Sequence, residues 1–218
     1  MATRSLSDLR TRVRERVGLP STSDPSDTTL DRWINDCLAR YWAELATQAE
    51  NDRDTTSVAF VVASDVACNP STGVALDCSS WLLLRDVELT VCGYTIHPSM
   101  TALGDRSSGY LGLPLIERTR CKLIGSALRF DPSGSVDGAT GVAWYVPEFT
   151  ALTGAATITD RNEWTGVAVL EVAVRCRKLH RLDASDIEAE LIELRQHIAT
   201  VSKRHSFAAP TVVVRDGW

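Results

Sequence analysis

The carboxylates Asp183, Asp186, Glu188, Glu190 and Glu193 crowd into one short stretch. Paired carboxylates can act as general acid and general base when they face a cleft with separated pKa values. Here they open a predicted helix, where negative charge complements the helix dipole. The four histidines, His97, His180, His197 and His205, form no H-E-x-x-H pattern. His197 falls on the polar side of a helix, and His180 near a helix end. The six cysteines, Cys37, Cys68, Cys78, Cys92, Cys121 and Cys176, include no C-x-x-C pair. They are expected to be free, buried, small hydrophobes. Cys68 and Cys78 could sit on adjacent strands, which leaves a disulfide between them open. Phosphate-loop, dinucleotide and nucleophile-elbow motifs do not occur. No catalytic residue, cofactor site or metal site is expected.

The one basic run is Arg10, Arg12, Arg14 and Arg16. Two helices joined by a loop could read DNA as a helix-turn-helix. The loop 19–28 is much longer than the short turn of that motif. The second helix also mixes Asp31, Asp36 and Glu44 with Arg32 and Arg40. A solvated or subunit-contacting face is the expected role of the arginines.

These residues sit on elements with clear periods. Leu6, Leu9, Val13 and Val17 share a helix face, with Ser5 or Ser7 as cap and Gly18 as stop. Leu30, Trp33, Ile34, Cys37, Leu38, Tyr41, Trp42 and Leu45 form a broad stripe on a second helix. Thr28 with Asp31 is its expected capping box. Between 57 and 147 the period becomes two, and strands are expected over 57–62, 81–84, 86–92, 94–97, 118–124, 127–130 and 141–146. Residues 99–114 are expected to form a long loop. After Trp164 the helical period returns. Val169, Leu170, Ala173, Cys176 and Leu179 or His180 line one face. Asp183 is the expected cap of a last helix whose seam is Ile187, Leu191, Leu194, Ile198 and Val201.

The fold class expected is α+β. It has an antiparallel-type four-helix frame, two N-terminal and two C-terminal helices. A β-rich insertion separates helices 2 and 3, and an extended C-terminal tail follows. The expected divisions are a helical domain over 1–50 and 164–205, an inserted domain over 56–147, and a tail over 206–218.

The chain has 218 residues and a formal net charge of -5. A mildly acidic protein is a poor clamp for DNA phosphates, which calls for clustered Lys and Arg. No apolar run has the length of a membrane span, and the N-terminus has no apolar signal core. No membrane partner is expected, and the protein is expected to be made and kept in the cytoplasm. Six tryptophans are generous for this size, and Trp218 is the last residue. With Pro210, Val212, Val213, Val214 and Arg215 it makes an extended tail suited to anchoring in a partner.

The N-terminal block, Leu9 through Gly18 and then Thr29-Leu30-Asp31-Arg32-Trp33-Ile34-Asn35-Asp36-Cys37-Leu38, resembles the head-to-tail connector (adaptor) proteins of tailed double-stranded-DNA bacteriophages. In those proteins a short helix ending in Gly leads through a polar loop to an amphipathic helix with a Leu-x-x-Trp-Ile-Asn-like core. Tyr145-Val146-Pro147-Glu148-Phe149-Thr150-Ala151-Leu152-Thr153, followed by the polar 159–164, is similar to their passage from a strand into the third helix. The resemblance covers both helical blocks. It implies a non-enzymatic virion protein that forms a ring, usually twelve-fold, at the neck. Its partners would be further copies of itself, the portal protein and a downstream neck or tail protein. DNA would pass through the channel without sequence-specific binding. By position, Pro210, Val212, Val213, Val214, Arg215 and Trp218 would dock on the portal. Arg10, Arg12, Arg14 and Arg16 would meet Glu188, Glu190 and Glu193 between subunits. The rival readings are a DNA-binding regulator using the arginine-bearing N-terminal helices, and a virion-associated cell-wall hydrolase using Asp183, Glu188 or Glu190.

Overall fold

The computed structural model describes residues 2–18, 25–47, 55–100, 119–131, 134, 136–160 and 164–206. The chain is α+β, with four helices and a large, mostly antiparallel sheet among the described residues. It forms two compact units: 1–51 with 149–218, and 52–148.

In the first unit, strand β1 (Ala2–Ser5) runs directly into helix α1 (Leu6–Val17). Ser5 belongs to both transitions. Its hydroxyl accepts from the Asp8 N–H at 3.2 Å, and its own N–H donates to the Asp8 carboxylate at 2.9 Å. This reciprocal box satisfies two otherwise orphaned donors. Gly18 ends α1 in the left-handed conformation, φ 76°. β1 pairs antiparallel with β10 (Thr157–Asp160). Neither strand was expected from the sequence: each has four mostly polar residues, and a two-stranded ribbon imposes no apolar alternation.

Helix α2 (Asp27–Thr47) buries Leu30, Trp33, Ile34, Cys37, Leu38 and Tyr41 along the expected stripe. Its cap differs from expectation. The Ser26 hydroxyl accepts from the Thr29 N–H at 3.4 Å, so the helix starts before Thr28. Helix α3 (Trp164–Leu179) is apolar nearly all round, with Trp164, Val167, Ala168, Val169, Leu170, Val172, Ala173 and Cys176 buried. A helix of that kind belongs in the middle, and α3 touches α1, α2 and the last helix, α4 (Ser185–Ser206). Its buried face stops at Cys176, because Leu179 is 54% exposed. On α4, Ile187 and Ile198 are buried while Leu191 and Leu194 are half-buried. The expected cap also shifts. Asp183 accepts from the Ser185 N–H at 3.1 Å, and the helix's first N–H bond goes from Glu188 to the Ala184 carbonyl.

The described residues of the second unit form one eight-stranded sheet. Its strands are β2 (Thr56–Ala63), β3 (Val66–Cys68), β4 (Trp81–Val91), β5 (Tyr94–Ile96), β6 (Ser99–Met100), β7 (Arg120–Ile124), β8 (Ala127–Asp131) and β9 (Thr140–Pro147). The spatial order is β5-β4-β9-β2-β3-β8-β7-β6, antiparallel throughout except at β6–β7. β6 opens a segment expected to be loop, and residues 101–114 of that segment lie outside the described residues. The two strands expected over 81–92 are one strand. It carries bulges between Trp81 and Leu83 and between Leu84 and Asp86, which interrupt the period of two.

No helix among the described residues lies in this unit, so the sheet covers its own apolar face by curling. Phe60 of β2 stacks on Phe130 of β8 at 5.7 Å, and Val87, Leu89, Cys121, Leu128 and Ala143 share the same core. Gly141 allows the closest approach. It lies opposite Phe60 in the β2–β9 register, and a Cβ there would come within 2.5 Å of both the Phe60 ring and the Glu88 carbonyl oxygen. All six cysteines are free, Cys68 and Cys78 included. Five are buried. Cys92 is exposed in the Cys92-Gly93 turn, where both residues have positive φ, as a two-residue hairpin of type I′ requires.

Candidate functional site

The polar groups of the helical unit are organised by α1. Residues four apart on a helix nearly overlie, while residues two apart diverge by about 200°. Arg10 and Arg14 therefore flank the Leu6–Leu9–Val13–Val17 seam on one side, and Arg12 and Arg16 on the other.

The first flank faces α2. Arg10 pairs with Asp27 at 2.7 Å and with Asp31 at 3.2 Å. Arg14, a buried arginine, pairs with Asp27 at 2.6 Å and donates to the Pro25 carbonyl at 3.4 Å. The Arg14 hydrogen bond holds the Asp27 carboxyl below the usual range. Burial pushes Asp31 the other way. Two of the four arginines thus close the α1–α2 connection within the chain.

The second flank faces α4. Arg16 pairs with Glu190 at 2.7 Å within the same chain. Beside this bridge lies an open groove of about 330 Å³ between α1 and α4, with Arg12 and Arg16 on one wall, Glu190, Glu193 and His197 on the other, and Leu170 and Leu194 among its floor residues. At that floor α3 and α4 pack closely. A Cβ on Gly166 would sit 3.2 Å from a Leu194 methyl. Arg177 secures the open end of α1 by donating to the Arg16 carbonyl at 3.0 Å, and it also pairs with Asp186 at 2.6 Å. Lys178 pairs with Glu188 at 2.7 Å. Of the seven residues expected at subunit contacts, Arg12 and Glu193 have neither hydrogen bond nor ion pair among the described residues.

A third polar cluster was not anticipated. Glu171 of α3 accepts from Arg40 of α2 at 2.7 Å and from Arg195 of α4, and takes a 3.3 Å hydrogen bond from the Cys37 thiol. Arg195 also lies over the Tyr41 ring at 5.7 Å. One carboxylate therefore ties three helices together. The available signal was Glu171 itself, a lone charge within Val169-Leu170-Glu171-Val172-Ala173. Burial pushes the Cys37 thiol up to about 11, so it stays protonated at neutral pH and is no nucleophile.

Of the carboxylates considered for hydrolysis, Asp183 precedes α4, and Glu188 and Glu190 lie in its first two turns. The backbone N–H of Ser185 lowers the Asp183 pKa, and Glu188 and Glu190 are engaged with Lys178 and Arg16. His197 is exposed at the groove, and His97 lies 3.2 Å from Asp86. Among the described residues no three His, Cys, Asp or Glu side chains gather as metal ligands. None of the described helices is long and apolar enough to cross a membrane. Pro210, Val212, Val213, Val214, Arg215 and Trp218 lie outside the described residues. No family model matches this sequence, and the search of curated proteins returns no match.

Proposed function

We propose that this chain is a structural virion subunit, an adaptor that forms a ring between the portal and the neck or tail of a tailed bacteriophage and extends the DNA channel. The observation that carries the reading is the discontinuous helical unit. Residues before and after the β-rich unit meet as one body, with α1, α2 and α4 all touching α3. That arrangement supports reading the chain as a four-helix frame with an insertion, as the adaptor resemblance implies. Polar side chains in that frame serve cross-helix pairing, as at Glu171 and Asp27.

The acidic balance suits a channel through which DNA must slide, since like charges do not hold the duplex. On this reading the segment 206–218 docks on the portal, and further copies of the chain complete the ring.

The test is binding of the purified protein to its own portal ring, full length against a chain ending at Ser206, imaged by negative stain. Decoration by the full-length chain alone supports both the adaptor role and the tail's part in it. A protein that leaves the portal bare and instead shifts DNA at low salt overturns the reading.

A further inference from the structure

The turn between α3 and α4 holds a non-glycine residue in the left-handed conformation between two exposed leucines. Two crossed hydrogen bonds close α3: the Arg181 N–H donates to the Lys178 carbonyl at 3.1 Å, and the Leu182 N–H to the Arg177 carbonyl at 2.9 Å. This closure places Arg181 in the left-handed region, φ 57°. Glycine is the usual residue there, because other side chains are strained in that conformation. The Arg181 side chain makes no hydrogen bond or ion pair among the described residues that would offset this. Leu179 and Leu182, on either side, are 54% and 48% exposed. A left-handed arginine between two exposed leucines offers a partner both charge and apolar surface.

We infer that this turn is a knob that docks into the α1–α4 groove of a second copy of the chain. The inference rests on the ring reading for its geometry, since a ring repeats one contact between two different patches. The two patches are complementary. The groove's apolar floor includes Leu170 and Leu194, and its opening of about 330 Å³ can accept leucine side chains. Its walls offer Glu193 to Arg181, and Arg12 to the exposed Asp183 carboxylate that follows the knob. Opposite charges at the two ends fix the direction of docking. A phosphate backbone would satisfy Arg181 but would leave both leucines in water, so a protein groove is the better partner.

Sedimentation velocity over a concentration series tests this on the full-length chain. The wild type is expected to self-associate. Arg181→Gly is the informative variant, because glycine relieves the strain while removing the guanidinium. It should melt at the same temperature or higher, yet associate roughly tenfold more weakly or worse. Leu182→Asp should weaken association as much. Arg181→Glu should also weaken it, and adding Glu193→Arg in the same chain should restore it. A wild type that stays monomeric throughout, or an association unchanged by Arg181→Gly and Leu182→Asp, overturns the knob. So does a DNA shift by the wild type that Arg181→Gly abolishes while self-association persists. Portal decoration reads the adaptor role separately. Rings that form equally with both variants sink the knob and keep the adaptor. A portal left bare by the wild type, with association still lost in Arg181→Gly, does the reverse.

Discussion

Asn35 and Leu152, 117 residues apart, are joined by a pair of hydrogen bonds: the Asn35 amide donates to the Leu152 carbonyl at 3.1 Å, and the Leu152 N–H donates back to the Asn35 side-chain oxygen at 2.8 Å. The side chain thus stands in for a strand partner and fastens the approach to α3 onto α2. Leu152 is itself buried in the helical core. Removing the amide leaves a buried N–H and carbonyl unmatched, at about 1–3 kcal/mol. Asn35→Ala is expected to lower the unfolding free energy of the full chain, read from urea titration, by an amount in that range. Asn35→Asp, which keeps the acceptor and loses the donor, should fall between. Equal midpoints for all three chains would show that the pair contributes nothing.

Gly141→Ala is expected to destabilise the β-rich unit by about 1–3 kcal/mol, the cost of forcing a methyl into filled space. Part of the obstacle is the Phe60 ring, which can move, and part is the Glu88 carbonyl oxygen, which cannot move without bending β4. Trimming the ring by Phe60→Leu should therefore fail to rescue Gly141→Ala. Thermal melts of the two single variants and the double variant decide this, and full recovery in the double variant would place all of the conflict at the ring.

Much of this arrangement was legible in the sequence because burial imposes a period. The stripe on α2 and the seam of α1 fall where the spacing put them. The charged groups were harder to place. Arg10 through Arg16 read as one basic run, yet the helical twist sends alternate members to opposite flanks and different partners. Glu190, expected across a subunit boundary, meets Arg16 within its own chain. Strands of two to four residues, such as β3, β6 and β10, left no pattern to read. Their partners are set by sheet topology, which local spacing does not encode. The meeting of Glu171 with Arg40 and Arg195, from three helices, is set by tertiary packing, and only the lone charge of Glu171 in an apolar run marked it.

Acid should loosen the helical unit through its turn and ion-pair carboxylates. Asp8 is held below its ordinary value of 3.8 by the Ser5 backbone N–H, and Asp27 by the Arg14 hydrogen bond. Asp183 is lowered in the same way by the Ser185 N–H. A depressed folded pKa means that the unfolded chain binds protons first, so the stabilisation is complete above 3.8 and is lost as pH falls through the folded values. Asp31, raised by burial, has the opposite sign: its contribution is greatest in acid and fades as pH rises through its raised value. Three against one predicts a falling melting temperature below pH 3.8. Far-UV melts should show this limb flattened in Asp8→Ala and steepened in Asp31→Asn.

Thiol chemistry should distinguish one cysteine from five. Cys92 is exposed on its hairpin turn, whereas Cys37, Cys68, Cys78, Cys121 and Cys176 are buried. Burial pushes Cys78 up to about 11 and Cys121 up to about 12, which suppresses the reactive thiolate as well as access. Ellman's reagent at neutral pH is expected to titrate a single thiol rapidly in the native chain and all six in denaturant. Cys92→Ser should abolish the fast phase. A fast phase that survives this substitution would mean that a core cysteine reaches solvent.

Glu171 offers the sharpest test of whether charge or packing holds the helices together. Its carboxylate is 14% exposed, while Arg40 and Arg195 are 64% and 46% exposed. Water therefore screens the arginine side of each pair, and the whole cluster should be worth about 1 kcal/mol rather than the several expected of a fully buried pair. Glu171→Gln keeps the shape, keeps an acceptor for the Cys37 thiol and removes only the charge. It is expected to lower the unfolding free energy at low salt, read from urea titration, by that amount. The gap from wild type should narrow in 1 M salt, where the screening length shrinks to about 3 Å. A deficit that is the same at both salt concentrations would assign the role of Glu171 to packing and hydrogen bonding, with no net contribution from its charge.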